Sequence, residues 1–440
     1  MSDRIVINKG RKIGTIHIKS SEISSFQGGE SKLVYAIDVD NNVRQLTTNL
    51  EFTLEEKYKD YICSEIVDGV IIMLLPYALR GGYDIITDIP MTEQLYYTVT
   101  SQLIPQLMTC NDLHHTKIIA DTVSPDWNPT AVATAMSLGV DSLSTFFEYS
   151  QADVLSDYRI THLAFFENGA HHGGNLGHSK REKAVYEDQL RKVQDFCDKV
   201  GYDLIYISSN LDEFLDNCFW KDSYQCTHTY RNAGFALILQ KLIKIYYYSP
   251  AYCVNDFSCL LNEDSAHYEA LLLPNISTKY LRFYNSSLLK TRLDKILYIS
   301  QFPETYDSLL VCYVNGKNCG ECIKCKRTQV EMDILGVLDL YKKSFDLEKY
   351  KKNRRKCFAY CLSKRNKDEL MHQIHIYIQE NNVKVPTGAY FMADVRMILV
   401  GTILLLRRFK RIIQNSLAND TVNKELMINR KCRNESIRKS

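Results

Sequence analysis

The chain has 440 residues, of which 45% are hydrophobic and 24% are charged. This length exceeds that of one small module, and the composition excludes a wholly disordered or collagen-like protein. The 54 lysines and arginines nearly balance the 52 aspartates and glutamates, so the net charge of +2 excludes a polyanion-binding surface over the whole molecule.

Residues 1–125 begin with short alternating β-prone segments, at 14–18 and 33–37, which glycine, serine and asparagine bound. Helical periodicity follows at 61–79 and 93–108. The pattern predicts a β-rich N-terminal region, an α+β extension that carries no catalytic signature.

Residues 126–330 alternate short apolar segments with longer helical ones, which is typical of βαβ units and a parallel sheet. The expected strands are 131–136, 161–166 and 203–208, and the expected helices are 142–150, 181–200 and 232–247. Ligands of open parallel sheets bind beyond the carboxyl ends of the strands. We therefore expect the chemistry in the loops after Met136, Phe166 and Ser208.

The first of these loops reads Ser137, Leu138, Gly139, Val140, Asp141 and Ser142. A strand, a short turn and a helix N-terminus direct backbone N–H groups and a positive dipole end at one place, which suits phosphate. Serine hydroxyls add donors, and an acidic residue in an anion site makes sense if Mg²⁺ accompanies the phosphates. A ligand-free helix cap made by Asp141 and Ser142 is the alternative.

This loop resembles the pyrophosphate loop, Ser-Gly-Gly-x-Asp-Ser, of the PP-loop ATP pyrophosphatase superfamily, the adenine nucleotide α-hydrolases. The resemblance implies a Rossmann-like (HUP-like) nucleotide-binding core and an enzyme that cleaves ATP between the α and β phosphates. Leu138 departs from it, because the family has its first glycine there. A requirement for positive φ at this position would strain a leucine.

Four cysteines cluster at Cys312, Cys319, Cys322 and Cys325. Cys-x₂-Cys turns bring sulfurs together, so the spacing predicts a Cys₄ zinc knuckle, with an iron–sulfur cluster as the alternative. Four protein ligands leave no open position, which indicates a structural metal. The capping-box form of Thr328 and Glu331 predicts that a helix starts just after the knuckle.

The order of loop and cysteines over residues 130–330 is similar to the 7-cyano-7-deazaguanine synthase (QueC-like) branch of that superfamily. This resemblance implies that a deazaguanine carboxylate is adenylated, that ammonia then displaces AMP, and that a similar cysteine cluster holds zinc. The segment 229–233 resembles an Arg-Asn segment of such enzymes, which implies substrate contacts for Arg231 and Asn232. A glycine-rich loop with His171, His172 and His178 is expected to act as a lid.

We therefore expect a ligase that uses ATP, Mg²⁺ and Zn²⁺, with residues 137–142 binding the nucleotide and Asp141 and Arg231 in catalysis. The amine acceptor is ammonia or, as in QueC-like members of anti-phage systems (Qat, type IV CBASS), a protein N-terminus. A PP-loop sulfur or amide transferase acting on tRNA or a sugar, and a silent zinc-bearing interaction protein, are the alternatives.

The last region, 331–440, reads as helical and basic, which favours a solvated cap over an RNA-binding surface. The N-terminus lacks an apolar leader, and the longest hydrophobic stretch, 397–406, is shorter than the about 20 residues that span a bilayer. We expect a cytoplasmic protein with reduced cysteines and no membrane partner. The sequence leaves a homodimer open.

Overall fold

The computed structural model describes residues 13–26, 28–111, 113, 116–170, 180–219, 223–261, 263–312 and 317–403. The chain divides into two compact units, residues 1–347 and 348–440.

The first unit contains twelve strands within its described residues: β1 (Gly14–Phe26), β2 (Glu30–Asp40), β3 (Gln45–Glu55), β4 (Tyr83–Thr87), β5 (Met91–Thr92), β6 (Ile118–Ile119), β7 (Thr122–Val123), β8 (Ala131–Ala135), β9 (His162–Phe166), β10 (Asp203–Ser209), β11 (Ile243–Tyr248) and β12 (Arg282–Asn285). Its helices are α1 (Asp68–Gly81), α2 (Glu93–Thr98), α3 (Ile104–Cys110), α4 (Val140–Tyr149), α5 (Lys180–Val200), α6 (Leu211–Cys218), α7 (His228–Ile238), α8 (Glu269–Asn275), α9 (Arg292–Ile299) and α10 (Ile323–Ile334). A π-helical segment, Val99–Leu103, joins α2 to α3.

One large sheet organises this unit. In the described part of the chain its strand order is β12-β11-β8-β9-β10-β3-β2-β1-β4-β6, while β5 and β7 pair separately. The five strands from β12 to β10 are parallel, β3, β2 and β1 continue the sheet in antiparallel pairings, and β4 and β6 add parallel to β1. Strand β2 alternates buried and half-buried residues, so it has the period of two of a sheet with one face in the core.

The parallel strands are doubly wound around β8. From β8 the chain adds β9 and β10 on one side and then returns to add β11 and β12 on the other. The strand order therefore reverses between β8 and β11, whose connections leave in opposite directions. In open α/β sheets such a reversal produces a crevice beyond the carboxyl ends of the two strands, and we call that place the crevice. This is where an open α/β sheet binds its ligands.

Helices cover both faces of the sheet. One core includes residues of α4, α5, α9 and α10, and the other includes residues of α1, α6, α7 and α8. Helices α1 and α7 approach closely at Gly69 and Gly234, because a Cβ on Gly69 would lie 2.5 Å from the Gly234 carbonyl oxygen. The ring of Phe52 on β3 packs edge-on against that of Phe235 on α7, with centroids 5.3 Å apart.

The α/β class with a mostly parallel sheet is confirmed, and the strands expected at 131–136, 161–166 and 203–208 match β8, β9 and β10. The helix expected at 232–247 is wrong. Helix α7 ends at Ile238, and Ile243–Tyr248 forms β11 between β8 and β12. Both α7 and β11 are apolar, so hydrophobic periodicity does not show where the helix ends and the strand begins. Ile243-Lys-Ile-Tyr-Tyr-Tyr nevertheless has the β-branched and aromatic content of a strand.

The border expected near residue 125 lies inside this unit. Strand β3 pairs with β10 in antiparallel register, with Leu54 opposite Ile207 and Phe52 opposite Ser209. The N-terminal strands thus extend the same sheet as the parallel strands. The border expected at residues 330 and 331 lies within α10.

The second unit is helical where it is described. Helix α11 (Leu347–Leu362) leads into it, α12 (Glu369–Glu380) follows, and residues 389–403 are also helical. The Asp368 carboxylate caps α12 by accepting a hydrogen bond from the Met371 N–H.

Candidate active site

The loop between β8 and α4 lies at the carboxyl edge of the sheet, beside the crevice. Its residues alternate in exposure: Leu138 and Val140 are buried, whereas Ser137 is exposed and Gly139 and Asp141 are partly exposed. The loop therefore presents a serine, a glycine backbone and a carboxylate outward, and anchors itself by the two apolar side chains.

Leu138 adopts the left-handed conformation, with φ of +59°. This conformation costs a non-glycine residue about 1–2 kcal/mol. The side chain is 2% exposed and lies in the core that includes residues of α4, α5, α9 and α10. The backbone carbonyl oxygen of Leu138 accepts a hydrogen bond from the Leu310 N–H at 2.8 Å. Burial of the leucine and this hydrogen bond hold the strained backbone in place.

The loop hydroxyls make long hydrogen bonds within the loop. The Ser137 N–H donates to Ser142 Oγ at 3.3 Å, and the Gly139 N–H donates to Ser137 Oγ at 3.4 Å. These distances exceed the usual range of about 2.7–3.2 Å, so both bonds are weak. An anion at this place would offer the same N–H groups a stronger acceptor.

Two cations of α9 neutralise Asp141. Arg292 Nη1 lies 2.9 Å from one carboxylate oxygen, and Lys295 Nζ lies 3.1 Å from the other. Both cations are buried, with exposures of 6% and 1%. Burial alone would raise the pKa of Asp141, but the charges of Lys295 and Arg292 outweigh it and hold the pKa below its ordinary value.

Helix α10 adds two more cations. Glu331 Oε2 accepts from Arg292 Nε at 3.2 Å, and Arg327 Nε lies 3.6 Å from the other Glu331 oxygen. Lys324 is exposed. Restricted hydration of its ammonium group, and then the nearby charges of Arg327 and Arg292, lower its pKa. Four cations (Arg292, Lys295, Lys324 and Arg327) and two carboxylates (Asp141 and Glu331) leave a net charge of plus two beside the loop.

The four clustered cysteines converge as their spacing predicts. Their Sγ atoms all lie within 4.8 Å of one another, so Cys312, Cys319, Cys322 and Cys325 could hold a metal ion such as zinc. Thiolates about 2.3 Å from a tetrahedral zinc would be about 3.8 Å apart. Two of the sulfur pairs, Cys322–Cys312 and Cys319–Cys325, are 3.8 Å and 3.9 Å apart.

Backbone N–H groups also point at these sulfurs. Cys319 Sγ accepts from the Glu321 and Cys322 N–H groups at 3.4 Å and 3.3 Å, and Cys322 Sγ accepts from the Cys325 N–H at 3.4 Å. Hydrogen bonds from Cys325 lower the pKa of Cys322 to about 5. These donors stabilise the thiolate form, which is the form that binds metal.

The helix after the knuckle starts earlier than expected. Cys322 is the N-cap residue of α10, and Thr328 lies inside the helix with 0% exposure. The prediction of a capping box at Thr328 and Glu331 is therefore wrong, because the Cys322 sulfur does the capping. Glu331 instead pairs with Arg292.

The cysteine cluster contacts the loop region through two segments. Leu310, two residues before Cys312, donates its N–H to the Leu138 carbonyl. Helix α10 carries Cys325 together with Lys324 and Arg327 in its first two turns. A metal held by the cysteines would thus fix both the backbone at Leu138 and the position of two cations.

Arg231 lies on α7 and is 5% exposed. Its guanidinium donates to Asp212 at 2.6 Å, to the Tyr77 hydroxyl at 2.7 Å and to Thr227 Oγ1 at 2.9 Å. These partners belong to α6, α1 and the N-cap of α7, so Arg231 ties together elements around the carboxyl edge.

Asn232 is half-buried, and its Oδ1 accepts from the Tyr246 hydroxyl at 2.7 Å. The lid histidines His171, His172 and His178 lie outside the described residues.

Sequence reasoning missed the cations around Asp141. A usable signal was present, since Arg292 and Lys295 are three residues apart at the start of a helix that Thr291 and Asp294 cap. Lys324 and Arg327 have the same spacing around Cys325. That spacing does not indicate that the two helices lie beside the loop 137–142, which is some 150 residues earlier in the chain. Arg292 contacts this loop through Asp141.

No protein-family model matches the chain, and neither a curated protein nor a solved structure matches it. In the described part of the chain, no helix combines the length and apolar character that crossing a membrane requires.

Proposed function

We propose that the chain is an ATP-dependent enzyme of the PP-loop kind, with a HUP-like nucleotide-binding core. It adenylates a carboxylate, with a 7-carboxy-7-deazaguanine-like base as the substrate class, and transfers the acyl group to an amine. The observation that carries this proposal is the loop 137–142 at the strand-order reversal, beside a cation cluster of net charge plus two. Such a cluster is stabilised when a polyphosphate occupies it.

In this reaction the substrate carboxylate oxygen attacks the α-phosphorus of ATP. The bond from that phosphorus to the bridging oxygen breaks, and pyrophosphate leaves with the electron pair. Loop N–H groups, Arg292 and Lys295 would stabilise the charge that develops on the pyrophosphate. They are preorganised for this, because burial and Asp141 already hold the two cations in place.

Asp141 has two roles in this account. Without nucleotide its carboxylate is the internal counter-ion of Arg292 and Lys295. With nucleotide the phosphates would take over those cations and Asp141 would hold Mg²⁺, an ion that neutralises phosphate charge when it is bound. Carboxylate and phosphate oxygens are the ligands that Mg²⁺ prefers, so the residues fit the ion.

We further propose that the cysteine centre holds Zn²⁺ in a structural role. The two sulfur separations of 3.8 Å and 3.9 Å suit a single tetrahedral ion. An iron–sulfur cluster places iron and sulfide between the thiolates and would need wider spacing, so the cluster remains the weaker alternative.

The amine acceptor is ammonia or a protein N-terminus. The chain has an N-terminal region and a helical second unit besides the parallel strands, and these surfaces favour a protein acceptor, because ammonia needs no docking surface. An anti-phage role of the QueC-like kind would follow from a protein acceptor. A tRNA or sugar substrate, which the basic last region would serve, is the competing acceptor class.

A second candidate, a silent zinc-bearing protein, is favoured by two observations. Leu138 replaces a glycine at a position with positive φ, and both oxygens of Asp141 are already paired. In such a protein the loop would be a permanently closed ion-pair cluster. The two candidates differ in whether ATP can displace Asp141 from its cations.

The test is to incubate the full chain with Mg·ATP and 7-carboxy-7-deazaguanine and to measure AMP and pyrophosphate. The expected result is carboxylate-dependent AMP formation, which falls by about 10²-fold or more in Asp141→Asn, because Mg²⁺ would then lose its carboxylate ligand. Asp188→Asn is the matched control, since the ion pairs that the structure shows for this aspartate, with Arg191 and Lys192, lie on the surface of α5. If no AMP forms with any nucleotide, the proposed enzyme is contradicted, and the silent zinc-bearing protein is the candidate that is left.

A mass shift identifies the acceptor. With ammonium chloride, a peptide with a free N-terminus, and tRNA offered in separate reactions, the acylated product is expected on ammonia or the peptide. Acylation or thiolation of tRNA alone would contradict the proposed acceptor class.

A further inference from the structure

A second polar cluster lies at the carboxyl end of β11. Tyr248 is the last residue of β11, His228 is the first residue of α7, and Asp264 precedes a short 3₁₀ turn. His228 Nδ1 lies 3.0 Å from the Tyr248 hydroxyl, and His228 Nε2 lies 2.7 Å from Asp264 Oδ1. The three side chains form one continuous line of hydrogen bonds.

The direction of these hydrogen bonds follows from the charge on Asp264. Burial opposes its ionisation, but the hydrogen bond from His228 lowers the pKa of Asp264 below its ordinary value, so the carboxylate accepts. Nε2 of His228 must then carry the proton, and Nδ1 is left as an acceptor. The Tyr248 hydroxyl therefore donates to Nδ1. A hydroxyl, a histidine and a carboxylate in this order are the arrangement that activates a hydroxyl by proton transfer.

Neighbouring groups restrict these side chains further. The Tyr224 ring stacks on the His228 ring with centroids 5.7 Å apart. Thr229 Oγ1 donates to Glu269 Oε1 at 2.9 Å, and the other oxygen of this buried carboxyl has no hydrogen-bond partner in the described part of the chain. His228 and Asp264 keep 15% and 20% side-chain exposure, whereas Tyr248 is 7% exposed, so the line reaches solvent mainly at its Asp264 end.

The cluster lies next to the loop 137–142. The carbonyl oxygen of Pro250, two residues after Tyr248, accepts from Lys295, which in turn pairs with Asp141. The Tyr248 carbonyl accepts from the Ser286 hydroxyl, which also contacts Thr145 of α4. Tyr248 and the loop thus lie at the carboxyl ends of the two neighbouring strands between which the strand order reverses.

We propose that Tyr248, His228 and Asp264 are the proton relay of the acyl-transfer step. This inference rests on the proposed function and names the group that deprotonates the amine. The amine nitrogen attacks the acyl carbon of the adenylate, the C–N bond forms, and the bond from that carbon to the AMP oxygen breaks. One proton passes from the nitrogen to the Tyr248 oxygen while the Tyr248 proton passes to His228 Nδ1, and AMP leaves with the electron pair.

The surroundings suit a concerted transfer. Burial raises the pKa of Tyr248 well above its ordinary value, so a free tyrosinate is unfavourable and the hydroxyl must give up its proton as it receives another. The Asp264 carboxylate stabilises the imidazolium that results and holds the ring in the required tautomer. General-base assistance of this kind accelerates a step by about 10²–10⁴-fold.

The test separates the two half-reactions in Tyr248→Phe and His228→Gln. ATP–pyrophosphate exchange with 7-carboxy-7-deazaguanine reports adenylation, and product formation reports transfer to ammonium chloride, to a peptide with a free N-terminus, or to hydroxylamine. Hydroxylamine is largely unprotonated at neutral pH and needs no general base. Tyr247→Phe is the matched control, because its hydroxyl bonds the Tyr158 carbonyl on the opposite face of β11.

We expect both relay variants to keep exchange and hydroxamate formation within about twofold of the unaltered chain and to lose transfer to the ammonia or peptide by about 10²-fold or more. Tyr247→Phe should keep all three activities. Equal loss in all three reactions, or full transfer to the amine, would overturn the relay while the proposed function stands. Absence of exchange in the unaltered chain, or of transfer to either amine, would overturn the relay together with the proposed function.

Discussion

At the scale of single residues, the loop 137–142 combines one strained position with one paired charge. The sequence predicts which side chains the loop offers, and it identifies Leu138 as the residue that positive φ would strain. It does not predict that burial of the leucine side chain with α4 stabilises the strained backbone at this position. Nor does it predict the partners of Asp141, since Arg292 and Lys295 come from a helix that only the tertiary fold brings near.

At Leu138 we predict that the glycine variant is more stable than the alanine variant, which is the reverse of the order within a helix. Leu138→Ala and Leu138→Gly both lose a buried leucine, which costs about 2–5 kcal/mol. Glycine also relieves the left-handed backbone, so Leu138→Gly should be the more stable variant by about 1 kcal/mol. The midpoint of thermal unfolding of the full chain measures the difference.

The control pair is Leu143→Ala and Leu143→Gly, because Leu143 is equally buried but lies within α4. Glycine should there be less stable than alanine by about 1 kcal/mol. The same order at both positions would contradict a strained Leu138.

At the scale of elements, α10 connects the cysteine centre with the cation cluster. Its N-cap is Cys322, and Lys324 and Arg327 follow within two turns. The spacing of the cysteines was sufficient to predict their convergence, because tight knuckles are local structures. The start of α10 and the border between α7 and β11 were not predictable, because a sulfur cap lacks a familiar signature and apolar segments fit helix and strand alike.

Metal removal should therefore weaken nucleotide binding. In Cys322→Ser, or after chelation of the full chain, we expect bound zinc to fall from about one ion per chain and Mg·ATP affinity to fall about tenfold or more, because α10 loses its anchor. Elemental analysis and calorimetry measure the two quantities. Cys110→Ser, which changes an exposed cysteine outside the cluster, should change neither.

Unchanged Mg·ATP affinity in metal-free chain would show that α10 holds its position without the metal. Iron in place of zinc, with visible absorption, would favour the iron–sulfur alternative.

At the scale of the whole molecule, the large sheet of the first unit changes from antiparallel to parallel pairing at β3 and β10. The sequence predicts the parallel strands and the β-rich N-terminal region. It does not predict that they join edge to edge, because strand pairing over about 150 residues leaves no local pattern. The reversal of strand order between β8 and β11 is likewise a property of the assembled sheet. That reversal places the loop, the cation cluster and Tyr248 around one crevice.

The most direct measurement is calorimetric titration of Mg·ATP into the unaltered chain, into Lys324→Gln and into Lys32→Gln. Lys324 is exposed beside the cluster, whereas Lys32 pairs with Glu51 on the N-terminal strands, so neither change should unfold the protein. We predict saturable binding of one nucleotide per chain, weakened about tenfold in Lys324→Gln and unchanged in Lys32→Gln, because one of the four cations of the cluster is lost. Failure to bind nucleotide, or equal affinity in all three proteins, would contradict a polyphosphate site at the loop 137–142.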